Sequence, residues 1–98
     1  MSQSKTPQTV TVALPDNITI AQAEALHEHL ETFLQSNDDI LIDGQAVARA
    51  DTAGLQTLLA FCNALHARDV KVSWKAPSES LRLAAKQLGL SDILSLNN

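Results

Sequence analysis

The sequence has little of several residue types, and each shortage excludes a class of protein. Its 98 residues include one cysteine and three aromatic side chains, with no tyrosine. One cysteine excludes an internal disulfide framework and a zinc site built from cysteines. Three aromatic residues are too few for a platform on which nucleic-acid bases stack.

Positive charge is also scarce: seven Lys and Arg stand against eleven Asp and Glu, a net charge of −4. Nucleic acid and anionic lipid both require a basic face, so neither is expected to be the main partner. No apolar run approaches the roughly 20 residues that span a bilayer. The first eight residues are polar, unlike a secretory signal. We therefore expect a soluble, cytoplasmic protein.

The length corresponds to one domain, which we place at residues 8–98 after a flexible N-terminal tail at 1–7. Alternating apolar residues around Val12 predict a half-buried strand, and the continuous apolar run at 40–42 predicts a central strand buried on both faces. A short β-branched segment at 18–20 and an alternating segment at 70–74 predict two further strands.

Three helices are predicted between and after these strands. The first covers about residues 21–35, and the second begins near position 52 with one apolar stripe (Leu55, Leu58, Leu59, Cys62, Leu65). The third begins after Ser78, a good N-cap, and ends at Gly89 with a Schellman-type stop. A last short turn follows. Strands that alternate with helices indicate an α/β fold with a largely parallel sheet.

Catalytic and metal-binding patterns are weak in this sequence. No glycine loop is present to cradle a phosphate, and no serine lies in a nucleophile elbow. Cys62 lies on the apolar stripe and is expected in the core. His27 and His29 point to different sides of a helix, and His27 is expected to pair with Glu31 four residues on. We expect no catalytic residue, no metal site and no cofactor.

One segment calls for a functional interpretation: Asp51-Thr52-Ala53-Gly54-Leu55, where the chain enters the second helix. Thr52 is a plausible N-cap, so the first two residues could simply satisfy free amides of the first turn. Gly54 costs about 1 kcal/mol relative to Ala inside a helix. It is explained if another backbone or a bulky partner approaches closely. The residues alone leave both the capping role and the contact role open.

This segment, followed by Leu58-Leu59, resembles the Asp-(Ser/Thr)-x-Gly-Leu signature of STAS domains, which occur in anti-sigma-factor antagonists and in the tails of sulphate transporters. The order of elements resembles that family over nearly the whole chain. The resemblance implies a mixed, mostly parallel sheet of four to five strands, three main helices and a short C-terminal helix. It also implies partner binding without catalysis.

In the antagonist members, a kinase that is also the anti-sigma factor phosphorylates the hydroxyl residue after the signature Asp, which corresponds to Thr52 here. The resemblance implies that residues 51–55 bind the partner, together with Asp16 and Asn17 in the preceding loop. That loop departs from the family, because it lacks the usual glycine and has Thr19 where an acid is common. Arg49 could pair with a phosphate on Thr52 or be solvated.

Two functions follow from the resemblance. The first is a regulatory module that binds a serine/threonine kinase or a chemotaxis-type signalling protein and is switched at Thr52. The alternative is the small STAS subunit of a phospholipid-asymmetry ABC transporter, which binds the ATPase subunit. The second helix has more apolar residues than one stripe needs, at Ala60, Phe61 and Ala64. These residues are either partly exposed or buried under a neighbouring helix. The sequence leaves open whether the protein forms a homodimer.

Overall fold

Five β-strands and three α-helices alternate along the part of the chain that this computed structural model describes, residues 8–35 and 37–96. They follow one another as β1 (Thr9–Ala13), β2 (Asn17–Ile18), a short 3-10 helix (Ile20–Gln22), α1 (Ala23–Glu31), β3 (Asp39–Asp43), β4 (Arg49–Ala50), α2 (Thr52–Ala67), β5 (Val72–Lys75) and α3 (Glu79–Gln87). The expected tail at 1–7 lies outside the described residues.

Three strands form a parallel sheet in the order β1–β3–β5. The central position of β3 is the one predicted from its apolar run: Ile40 and Ile42 are buried and Leu41 is half-buried. Parallel neighbours require a crossover, and α1 and α2 lie in the two connections. The α/β fold class is therefore confirmed.

The two remaining strands form a separate parallel ladder in which Asn17 lies opposite Arg49 and Ile18 opposite Ala50. The five strands thus divide between two sheets, and every pairing among the described residues is parallel, a difference in detail within the expected mostly parallel fold. The sequence predicts a loop at β4. A strand of two residues is too short to show an alternating pattern.

The second helix supplies much of the core. Its buried residues, which include most of the predicted stripe, are Gly54, Leu55, Leu58, Phe61, Cys62 and Leu65. Fully burying one such leucine is worth about 1.5–3 kcal/mol relative to leaving it exposed. Burial under a neighbouring element is thus the outcome for Phe61, while Ala60 is exposed and Ala64 half-buried.

The first helix is shorter than the predicted segment 21–35. Its α-helical part ends at Glu31, and the Thr32 hydroxyl then donates a hydrogen bond to the His29 carbonyl oxygen at 2.7 Å. Leu26 and Leu30 lie in the core, so the apolar face is as predicted even though the helix ends early.

Both ends of α3 agree with the local sequence signals. Ser78 is the N-cap, and its hydroxyl oxygen accepts a hydrogen bond from the Leu81 amide. At the other end Gly89 has φ +72°, and the Leu90 amide donates to the Ala85 carbonyl oxygen at 2.8 Å. This left-handed residue and backward hydrogen bond are the predicted Schellman stop.

The segment after α3 forms turns rather than the expected short helix. Leu94 and Leu96 are buried, and the Trp74 indole nitrogen donates to the Leu94 carbonyl oxygen at 2.8 Å. Ser95 has φ +61°, which a right-handed helix does not accommodate. Among the described residues, no helix has the length and apolar content that crossing a membrane requires.

Candidate functional site

The signature segment forms the junction between β4 and α2. Asp51 has extended backbone and is the N-cap of the helix, and its Oδ1 accepts a hydrogen bond from the Gly54 amide at 3.0 Å. The suggestion that Thr52 is the cap is therefore corrected by one residue. Thr52 is already the first helical position, so its side chain is not needed for capping.

The second oxygen of the Asp51 carboxylate holds a different part of the chain. Its Oδ2 accepts a hydrogen bond from the Ile20 amide at 2.9 Å, so one side chain joins the start of α2 to the start of the 3-10 helix. The hydrogen bond from the Gly54 amide and then the one from Ile20 hold the pKa of this carboxyl below its usual value of 3.8. Asp51 is thus a carboxylate at neutral pH.

The glycine at position 54 is explained by the backbone of Ile18, which lies too close for a side chain at this position. A Cβ built on this residue would lie 1.8 Å from the Ile18 carbonyl oxygen and 2.5 Å from the Ile18 carbonyl carbon. Of the two explanations that the sequence leaves open, the close approach of another backbone accounts for this glycine, and that backbone is β2. The capping role belongs to Asp51.

The signature therefore divides into residues that build the junction and residues that reach its surface. Asp51 and Gly54 fix the geometry, and Leu55 is fully buried in the core. Thr52 is exposed and Ala53 is half-buried. Thr52 is consequently the side chain that this segment offers to another molecule.

The loop before β2 lies beside β4, the strand that leads into the signature. The Asp16 carbonyl oxygen accepts hydrogen bonds from the Ala48 and Arg49 amides at 2.7 and 3.1 Å. Asn17 is paired with Arg49 in the short ladder. Asp16 and Arg49 are exposed and Asn17 is half-buried, so the two distant stretches of sequence form one surface.

One exposed residue of this surface is missing from the sequence-based set. Ile20 lies in the segment 18–20 that is predicted as a strand, but β2 ends at Ile18 and Ile20 is 72% exposed. The chain has already entered the 3-10 helix there. A signal was present: Thr19 followed by Gln22 fits the S/T-x-x-E/Q pattern that marks a helix start.

The chemistry available among the described residues is limited. No group of three or more His, Cys, Asp or Glu residues there is arranged to hold a metal ion. Cys62 is buried as predicted, and burial raises the pKa of its thiol to about 11, which keeps it protonated. His27 and Glu31 form the predicted pair, 3.8 Å apart on the exposed side of α1.

The comparisons with known proteins agree with this geometry. A family model described as "Mlab, STAS domain" matches residues 1–95. The anti-sigma factor antagonist SpoIIAA in its unphosphorylated form is 20% identical with a TM-score of 0.69, over 92% of this chain and 80% of that chain. The Bacillus cell fate determinant SpoIIAA in its phosphorylated form is 18% identical with a TM-score of 0.64, over 92% and 83%.

At these identities the two solved structures establish a shared fold and nothing finer. No curated protein matches this chain.

Proposed function

Because this chain belongs to the STAS domain family, we propose that it is a non-catalytic module that binds a signalling partner through residues 51–55 and the start of α2. The single observation that carries the proposal is the position of Thr52. It is exposed at the first helical position, while Asp51 before it and Gly54 two residues after it are fixed by contacts within the chain.

We propose that phosphorylation of Thr52 switches this binding. A phosphate would add roughly −1.5 to −2 charge at neutral pH. Within the domain the positive end of the helix dipole favours that charge, so the fold is retained. Inside an interface the phosphate would lie next to the ionised Asp51 and would lose its water. Both effects weaken the complex.

The partner expected under this proposal is a serine/threonine kinase of the anti-sigma type, or a chemotaxis-type signalling protein. SpoIIAA, which has the same fold, is described in both unphosphorylated and phosphorylated forms. That pair of states supports a switch by phosphate on a scaffold of this kind, and the exposed Thr52 hydroxyl supplies the acceptor here.

The test uses the purified chain, an anti-sigma-type serine/threonine kinase from the same organism, and ATP. We expect phosphate on Thr52, located by mass spectrometry, and loss of kinase binding in Thr52→Glu with an unchanged melting temperature. Ser80→Glu is the matched control, because Ser80 is also an exposed hydroxyl residue in the first turn of a helix. Binding of Thr52→Glu at wild-type strength would contradict the proposal.

A second candidate is the small STAS subunit of a phospholipid-asymmetry ABC transporter. The observation that favours it is the description of the matching family model, which bears the name Mlab rather than that of an anti-sigma-factor antagonist. Under this candidate the same surface around Thr52 binds the ATPase subunit. Isothermal titration with the purified ATPase subunit separates the two candidates, because binding there and none to the kinase supports the second.

A further inference from the structure

The most exposed large apolar side chain among the described residues belongs to Ile20. It is 72% exposed, compared with 53% for Ile93, 49% for Leu83 and 41% for Leu88. A single apolar residue on a surface is common and by itself means little. Ile20 differs because its own amide is held by the carboxylate that caps α2 next to Thr52.

The backbone that presents Ile20 is held from both sides. On one side the Ile20 amide donates to Asp51 Oδ2 at 2.9 Å. On the other, the Gln22 amide donates to the Thr19 carbonyl oxygen at 2.9 Å, and the Thr19 hydroxyl donates to Gln22 Oε1 at 2.6 Å. A residue whose backbone is already fixed loses little backbone freedom on binding, which lowers the cost of using it as an anchor.

We propose that Ile20 is the apolar anchor of the partner-binding surface and that it enters an apolar pocket on the protein partner. This inference rests on the proposed function and specifies the chemistry of the partner at the same site. Asp51 acts as a positioning residue: one oxygen sets the first turn that presents Thr52, and the other sets the anchor.

The experiment is isothermal titration of the full chain with the anti-sigma-type kinase of the proposed function. We expect Ile20→Ala to weaken binding by about tenfold or more, the loss typical of a central apolar contact. Ile20→Val, which keeps most of the side chain, is expected to retain most of the affinity. Ile93→Ala is the matched control, the same substitution at another exposed isoleucine, and is expected to bind like the wild type.

The outcomes distinguish this inference from the function on which it rests. If Thr52→Glu abolishes binding while Ile20→Ala leaves it unchanged, the anchor is wrong and the proposed function stands. If the wild type does not bind the kinase, both the anchor and the proposed function are wrong. Equal losses in Ile20→Ala and Ile93→Ala would overturn the anchor as well, because the effect would not be specific to this surface. Melting temperatures close to that of the wild type show that the variants are folded.

Discussion

The first turns of α2 and α3 have the same N-cap hydrogen bond but lie in different surroundings. In each, a side-chain oxygen of the N-cap accepts a hydrogen bond at 3.0 Å from the amide three residues on, Asp51 from Gly54 and Ser78 from Leu81. The third helical position is a glycine in α2 and a fully buried leucine in α3. A second chain segment can therefore lie against the start of α2.

The caps also differ in what else they hold. The second Asp51 oxygen accepts from the Ile20 amide, which fixes the neighbouring 3-10 helix. The Ser78 hydroxyl instead donates to the Val47 carbonyl oxygen at 2.6 Å, a contact with a buried residue of the preceding loop. An N-cap by itself thus makes an ordinary helix start. The first turn of α2 becomes a composite surface because its cap holds an exposed segment at Ile20, whereas the α3 cap holds the buried Val47, and because its third residue has no side chain.

The largest expected effect comes from removing the close approach at α2. Gly54→Ala adds a methyl group 1.8 Å from the Ile18 carbonyl oxygen, and because its neighbours there are mainly backbone they cannot move aside cheaply. We expect the free energy of unfolding, measured in urea, to fall by about 3 kcal/mol or more, at the high end of overpacking effects.

Gly89→Ala is the control for Gly54→Ala. A Cβ at Gly89 meets nothing within 4 Å, so only its positive φ opposes the substitution. The expected loss is about 1 kcal/mol, the cost of a left-handed residue with a side chain. Equal losses for the two glycines would contradict the role assigned to the β2–α2 contact.

An intermediate effect is expected at the start of α3. Ser78→Ala removes the acceptor for the Leu81 amide and the donor to the Val47 carbonyl oxygen, which costs about 1–2 kcal/mol. Partner binding is expected to be unchanged, because this cap does not support the surface around Thr52. Thermal unfolding measures the first effect and titration the second. Weaker binding in this variant would mean that the comparison between the two helix starts is wrong.

The smallest expected effect is a pH dependence that only the α2 cap shows. The pKa of Asp51 is lower in the folded state than its usual value of 3.8, so the unfolded chain takes up this proton first as the pH falls. The stabilisation is therefore complete above about pH 4 and is lost as the pH falls through the lowered folded-state pKa.

The measurement for this prediction is the free energy of unfolding of wild type and Asp51→Asn between neutral and acidic pH. The difference between the two proteins is expected to be constant near neutrality and to shrink below about pH 4. A difference that stays constant into the acid range would show that the Asp51 charge does not contribute. Ser78→Ala, which removes no titrating group, is expected to differ from wild type by the same amount at every pH.

The sequence predicts those parts of the fold that depend on neighbours along the chain. The cap at Ser78 and the stop at Gly89 are local hydrogen-bond patterns, and both were predicted. The ladder of β2 with β4 depends on two short segments that are separated along the chain by α1 and β3. The C-terminal turn likewise depends on a distant contact, the hydrogen bond from Trp74 to Leu94.

The candidate site is predictable to a similar extent. Its position at the start of α2 follows from the signature. The cost of Gly54 inside a helix indicates a close contact at that residue, and the backbone of Ile18 makes this contact. The sequence pattern cannot show that Asp51 reaches the Ile20 amide, because that hydrogen bond crosses 31 positions of sequence. The helix start at Ile20, by contrast, has a local signal in the sequence, because Thr19 and Gln22 fit the S/T-x-x-E/Q pattern.

The pairing of Asn17 with Arg49 has a consequence for measurement in the cell and in the test tube. Because the surface exists only when both stretches are in place, a protein that binds this surface would bind the native chain and not the denatured ensemble. By mass action such a ligand raises the melting temperature in proportion to the logarithm of its concentration. Resistance to heat or protease therefore reports occupancy of this surface without any label attached to the protein.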